Sequence, residues 1–384
     1  YLVHQVVEVN SEEALDQVGE FHAPDGELLR IRTIKRDGRI FEPDRIAGMP
    51  SLALPRLEVG DFVEYEFVLS QGPAENLDAG VLSQRFYFRS GDGPLHRTEY
   101  VVIAPDGVNV SFDRRGPLPD PAVEERDGTR IYTFRMDRQP KVEEEPFSVN
   151  EREFLPSVSW GIGARWAAFR DTLADQVADT MQRDPELVRA TEDVIREAHA
   201  RTDREKAVAL FHWVLDNVED DGSGLFDGAP GMLYDRTGNR DRVFQYMLRL
   251  VGIRTDLVLV RSANADQTPT ELPEDGVYDA VALRIALSSG TVFATTAQRG
   301  VPFGWLPSMW LGQPAMVVAE GGESITMPAT SPIADERRVT IEAALDDDGS
   351  AIMRVTETFL HATATMPSEA TGGCPALPAL ASPS

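Results

Sequence analysis

Two hydrophobic periods run through this chain, and the switch between them is what most constrains its fold. Before residue 150, apolar residues alternate. Val63, Tyr65, Phe67 and Leu69 are interleaved with Glu64, Glu66 and Val68, the period-2 pattern of a strand with one strongly apolar face. Arg85-Phe-Tyr-Phe-Arg89, Glu99 to Ala104 and Arg130 to Met136 are further strand-type runs. Asp-Gly pairs punctuate them at Asp25-Gly26, Asp37-Gly38, Asp106-Gly107 and Asp127-Gly128, supplying the positive φ angles that tight hairpins need. An antiparallel β-sandwich over residues 1–150 is the expectation.

The acidic run Lys141-Val-Glu-Glu-Glu-Pro146 reads as a solvated linker, and after it the period becomes helical. Asp184 to Ala200 predicts one helix. Thr202-Asp-Arg-Glu205 has capping-box spacing and opens a second, with Ala207, Leu210, Phe211, Val214 and Leu215 at helical intervals. Asn239 to Val251 predicts a third, stopped by Gly252. Strands are expected at Asp256–Val260, Tyr278–Ile285 and Gly290–Thr295, so residues 151–330 should form an α+β domain. Val339–Leu345 and Ala351–Phe359, joined through Asp346-Asp-Asp-Gly349, predict a hairpin that starts a C-terminal β domain over 331–362. The Ala-, Pro- and Ser-rich stretch 363–384 is expected to be disordered. The chain opens at Tyr1 with no charged-then-apolar leader, and is expected to be a fragment or processed product.

Composition excludes several functions. With 42% hydrophobic and 26% charged residues the chain is ordinary globular material. Its net charge of −26 opposes phosphate backbones and anionic lipid, so nucleic acid is not an expected partner. No apolar stretch approaches the ~20 residues of a spanning helix, so direct membrane insertion is not expected in this segment. The single cysteine, Cys374, excludes an internal disulfide framework and multi-cysteine metal sites.

Motif searches exclude more. The six histidines are His4, His22, His96, His199, His212 and His361, and no spacing ties them into a metal site. His212 is expected to pack or to face solvent. Neither a phosphate-binding glycine loop nor a nucleophile elbow is present. Asn217-Val-Glu-Asp-Asp-Gly222 begins like a calcium loop, but Gly228 stands where the bidentate glutamate belongs, so an acidic turn is expected. No cofactor and no metal are predicted.

Two stretches carry a family resemblance. Leu29-Arg-Ile-Arg-Thr-Ile-Lys-Arg-Asp-Gly-Arg-Ile40 and Leu54-Pro-Arg-Leu-Glu-Val-Gly-Asp-Phe-Val-Glu-Tyr65 resemble a bacterial domain of unknown function, number 3857, which typically precedes a transglutaminase-like domain in exported proteins. The second half fits that pairing through Glu205–Val214, Tyr246–Ile253, Val258–Val260 and Pro302-Phe-Gly-Trp-Leu-Pro307. The resemblance implies a papain- or transglutaminase-like α+β domain. In active members a cysteine at the start of the central helix attacks an acyl group, a histidine on the next strand is the base, and an aspartate one strand later orients it. Those positions fall at Thr237, Ala280 and Ala294, so all three are substituted. No cysteine or histidine lies between His212 and His361 to replace them, and Cys374 is expected to be an incidental thiol.

The expected role is therefore a non-catalytic, degenerate transglutaminase-like module that binds or scaffolds in a bacterial envelope, with a periplasmic location implied by the resemblance. Tyr234, Arg236, Asn239 and Asp279 are the expected wall of the old cleft, and an extended peptide, a glycan or another envelope protein the expected partner. Two alternatives stand beside it. One is a structural β-rich spacer without ligand, in which Trp160, Trp166, Trp305 and Trp310 pack domains together. The other is a hydrolase or acyltransferase using a non-cysteine nucleophile such as Thr237, for which Asp279 is the local carboxylate.

Overall fold

The structure, a computed structural model, describes residues 1–22, 26–43, 51–70, 80–143, 145, 148–333, 336–346 and 349–360. The tail expected over 363–384, Cys374, His361, Asp25, and parts of the expected linker and last turn lie outside the described residues. The chain divides into two compact units, Tyr1–Leu77 and Asp78–Ser384.

In the first unit the elements are β1 (Leu2–Glu8), α1 (Glu12–Val18), β2 (Glu20–His22), β3 (Glu27–Ile34), β4 (Ile40–Phe41), β5 (Ser51–Ala53) and β6 (Phe62–Val68). An antiparallel sheet runs in the order β1-β6-β3-β4, and β2 pairs with β5. The alternation in β6 does what its period predicts. Val63 joins Val9, Ile31 and Leu54 in the core with Tyr65 against them, while Glu64, on the other face, accepts hydrogen bonds from Arg30 and Arg32. Gly38, at φ 83°, closes the β3–β4 turn that Asp37-Gly38 forecast.

The second unit begins with β7 (Val81–Leu82), β8 (Phe86–Tyr87), β9 (Leu95–Pro105), β10 (Ser111–Arg115), β11 (Ala122–Arg126), β12 (Thr129–Gln139) and β13 (Ser157–Ile162). One sheet is ordered β10-β13-β7, with β8 also on β13; another is β11-β12-β9. Phe88, Leu118, Phe134 and Val158 form the core between them, with Phe86, Tyr100, Phe112 and Tyr132 packed around. Asp127 and Gly128, at φ 50° and 75°, make the β11–β12 turn. The strands expected as one sandwich over 1–150 are thus shared between the two units, and β13, beyond residue 150, completes the second set. Its Ser157 and Ser159 are buried, so the Ser–apolar alternation marks no solvent face and gives no strand signal.

The helices are α2 (Trp166–Asp179), α3 (Pro185–Glu197), α4 (Asp203–Asn217), α5 (Ala229–Asp235) and α6 (Arg240–Leu250). Asp184 caps α3 through the Glu186 and Leu187 amides, and Thr202 with Glu205 forms the forecast capping box on α4. A sheet follows in the order β16-β15-β14-β17-β18, built from β14 (Thr255–Val260), β15 (Ala280–Leu287), β16 (Gly290–Ala294), β17 (Pro314–Val318) and β18 (Ser324–Thr326). Every pairing in it is antiparallel. Helix α6 is buried along its length, Arg249 alone excepted. Its Phe244 meets Phe211 and Phe303 at ring-centroid distances of 5.6 and 6.4 Å over a core that takes in Leu257, Leu283 and Ile285 of the sheet. Trp310, Leu306 and Met327 cover the opposite face. β19 (Glu336–Leu345) and β20 (Ala351–Leu360) form a two-stranded hairpin. No helix among the described residues is long and apolar enough to cross a membrane.

A buried ionic network fastens the segment between β14 and β15 onto β10 and onto Arg85, between β7 and β8. Arg115 on β10 pairs with Asp266 and lies 3.0 Å from Glu274, while Arg85 bridges Glu274 at 2.9 Å and Asp113 at 3.2 Å. The side chains of Arg85, Arg115, Asp113 and Asp266 are all at most 5% exposed.

Candidate functional site at the start of the central helix

The residues expected around the nucleophile position occupy the short passage from α5 to α6. Helix α5 ends at Arg236 in a left-handed conformation, φ 56°. Glu219 and Thr237 then form an isolated bridge, with the Glu219 N–H donating to the Arg236 carbonyl and the Gly238 N–H to the Glu219 carbonyl. Gly238 has φ 131°, and a Cβ built there would stand 2.5 Å from the Met232 side chain. Any other residue is strained there by its backbone angle and must displace the Met232 side chain. Gly238→Ala should cost about 1–3 kcal/mol, read by urea unfolding; a change within experimental error would show that this passage is not held as described.

Those constraints fix Thr237, whose hydroxyl donates to Asp221 at 3.1 Å. The Ser223 hydroxyl and N–H, and then Thr237, hold the Asp221 carboxyl below its ordinary range. A carboxylate so stabilised is a poor acceptor for a threonine proton. Arg236 places its guanidinium 5.6 Å from the Trp213 ring centroid, and Tyr234 is exposed on α5.

Asn239 caps α6 by accepting from the Arg242 N–H at 3.1 Å. Arg240 reaches Asp220 and the Ala297 carbonyl, and its buried Nη1 has no partner among the described residues. Asp241 is buried and accepts from the Thr295 hydroxyl at 3.0 Å, the Thr296 N–H at 2.6 Å and the Thr296 hydroxyl at 2.8 Å. Burial pushes its carboxyl up to about 6, against the opposing pull of the Thr296 and Thr295 hydrogen bonds and the Arg240 charge.

The structure therefore gathers Arg236, Thr237 and Asn239 at the start of α6. Ala294 ends β16 just before Thr295, wholly buried in the core on the α6 side, opposite Leu283. Ala280 points elsewhere. It pairs with Val260 and packs with Trp310 and Ala282 on the far face of the sheet, whereas Val281 faces the α6 side. Thr237, Ala280 and Ala294 thus do not share one face, because a one-residue step along a strand reverses the side chain. Asp279 has other partners. Its carboxylate accepts the Ser262 N–H at 2.8 Å and hydroxyl at 2.6 Å, and no hydrogen bond among the described residues joins it to Thr237 or Asn239.

Sequence reasoning missed Asp241, Thr295, Thr296, Arg240 and the Asp221 contact. For Asp241 one signal existed: it stands three and seven residues before Phe244 and Leu248, on a core-facing stripe.

Comparison with known proteins agrees with this architecture in part. Residues 50–143 match the family described as a domain of unknown function with a solved structure, DUF3857. No curated protein matches. The crystal structure of a candidate protease from Parabacteroides distasonis is similar with a TM-score of 0.65 at 14% identity, over 86% of this chain and 68% of that one. A structure named as a TGase matches at a TM-score of 0.21 and 12% identity, over 50% of this chain and 47% of that one, too low to carry an argument. What the chain shares with the Parabacteroides protein is its fold, with a DUF3857 match in its first half.

Proposed function

We propose that this chain is a non-catalytic, transglutaminase-like module that binds or scaffolds in a bacterial envelope. The observation that carries the reading is the chemistry at the start of α6. Thr237 stands at the nucleophile position with its hydroxyl committed to Asp221, a carboxylate held below its usual range. The position assigned to the base, Ala280, has no titratable group and belongs to the far face of the sheet. The division into segments 1–150, 151–330, 331–362 and 363–384, the periplasmic location, and the peptide, glycan or envelope-protein partner belong to the same proposal. A spacer without ligand is the second reading. It is favoured by Trp305 and Trp310, which are buried, and by Trp160, which donates to the Tyr100 hydroxyl at 3.0 Å.

An acyl-transfer and peptide-hydrolysis assay with and without a thiol alkylating agent tests the proposal. The expected result is no turnover under either condition. Activity that alkylation removes would mean that Cys374 reaches a site, and activity that survives alkylation but is lost in Thr237→Ala would restore a hydroxyl mechanism; either outcome overturns the non-catalytic reading. Fractionation of cells expressing the native gene tests location, and recovery in the cytosol alone would remove the envelope assignment.

A further inference from the structure

A cavity of about 610 Å³ opens beside α4, with Leu215, Val301 and Ile333 along its apolar lining. Leu215 and Val301 are buried and Ile333 half-buried, while the charged groups on the same cavity stand exposed. Three charged or titratable side chains line the same cavity: His212 and Asp216 from α4, and Arg299 from the segment after β16. His212 and Asp216 are one helical turn apart and share a face. Arg299 donates to the carbonyl of Val218, the α4 C-cap, at 3.2 Å, which sets its guanidinium at the negative end of that helix. A guanidinium has five N–H donors, and this hydrogen bond uses one of them.

Asp216 makes no hydrogen bond or ion pair among the described residues, and no ion pair joins it to Arg299. An anion and a cation therefore stand on one cavity without neutralising each other, with apolar surface in the same space. A simple anion would meet Asp216, and a simple cation would meet Arg299. A ligand carrying both charges and an apolar side chain satisfies all three features at once.

From this arrangement we infer a binding site for a zwitterionic α-amino acid or short peptide with a branched apolar side chain. Its carboxylate would lie on Arg299, with His212 as a second polar contact. Its ammonium would lie on Asp216, and its side chain against Leu215, Val301 and Ile333. Arg299 is tied to Val218, the residue before the Glu219 that pairs with Thr237. The inference does not depend on whether the chain is catalytic.

The test follows backbone amide shifts of the unmodified protein during titration with L-leucine, leucyl-glycine, leucinamide and 4-methylpentanoate. Either or both zwitterions should move the Leu215–Asp216 and Arg299–Val301 resonances. Leucinamide, which lacks the carboxylate, and 4-methylpentanoate, which lacks the ammonium, should each bind at least about tenfold more weakly. Tighter binding of leucine identifies a free amino acid as the source, and tighter binding of leucyl-glycine a peptide. Equal affinities for all four compounds would reduce the cavity to an unselective apolar dent and overturn the inference. So would the absence of any shift with both zwitterions. Asp216→Asn, on an exposed helix face, should lose the preference for leucine over 4-methylpentanoate while the unfolding midpoint stays unchanged; a retained preference overturns the role of Asp216.

Discussion

Replacing Asp266 with alanine should destabilise the second unit by about 3–5 kcal/mol, the cost of stranding a buried charge. Asp266 is 4% exposed and partners Arg115, whose side chain is 2% exposed, and it also accepts the Thr268 N–H at 2.9 Å. Burial by itself would raise the Asp266 carboxyl. The Thr268 hydrogen bonds and the charges of Arg115 and Arg261 overcome that and hold it below its ordinary value. Without Asp266, Arg115 keeps Glu274 as its one ion-pair partner among the described residues, and the segment between β14 and β15 loses one of its ties to β10. Because its carboxyl is depressed in the folded state, the stabilisation is present above the ordinary carboxylate range and is lost as pH falls through the folded value. Replacing the pair together, Arg115→Met with Asp266→Leu, should recover part of the loss, since Arg115 is then not left buried without Asp266, while Arg261, 11% exposed, still loses the carboxylate it meets at 3.8 Å. Urea unfolding of both variants at neutral pH is the measurement. A loss below about 1 kcal/mol for Asp266→Ala would mean that water reaches the network and screens it.

Asp241→Asn should change how stability depends on pH, in the opposite sense. The native carboxyl is raised from 3.8 to about 6 by burial. Below about pH 4 the group is neutral in both states and costs nothing. Between those values the unfolded chain ionises it while the folded protein keeps the proton, so stability falls as pH rises, and the loss is complete above about 6. A shift of that size corresponds to about 3 kcal/mol. Asparagine cannot ionise, and its carbonyl can still accept from the Thr296 N–H. The unfolding free energy of the variant relative to the native protein should therefore climb by up to about 3 kcal/mol from pH 4 to pH 7. A flat difference would show that Asp241 titrates normally, and so that water reaches the start of α6.

Together these groups explain why much of the fold was legible in the sequence while the site was legible only in outline. The caps of α3, α4 and α6 were visible because a cap is decided within about four residues, and Asp184, Thr202 with Glu205, and Asn239 each stand at the right spacing. The turns at Asp37-Gly38 and Asp127-Gly128 were visible because positive φ is a property of the residue itself. By contrast α2 has no side-chain cap at Arg165, and α5 relies on Gly228 and Pro230, so neither announced itself.

For the site, counting along the chain located Thr237, Arg236 and Asn239 at the start of the central helix, where the structure holds them. It could not orient Ala280, because facing is reversed by one residue of register, and register is set by pairing with Val260 and by the packing of two opposite cores.

What the sequence by itself determined is the caps and turns named above, the change of period, and the absence of any cysteine or histidine between His212 and His361. What only the tertiary structure decided is which charges are buried and with whom. Arg115 and Asp266 are 151 positions apart, and Asp241 and Thr296 are 55 apart. Nothing local selects either partner. The selection comes from desolvation: once a charged group is removed from water its ordering is costly unless a complementary group arrives, and only the folded packing brings that group within reach.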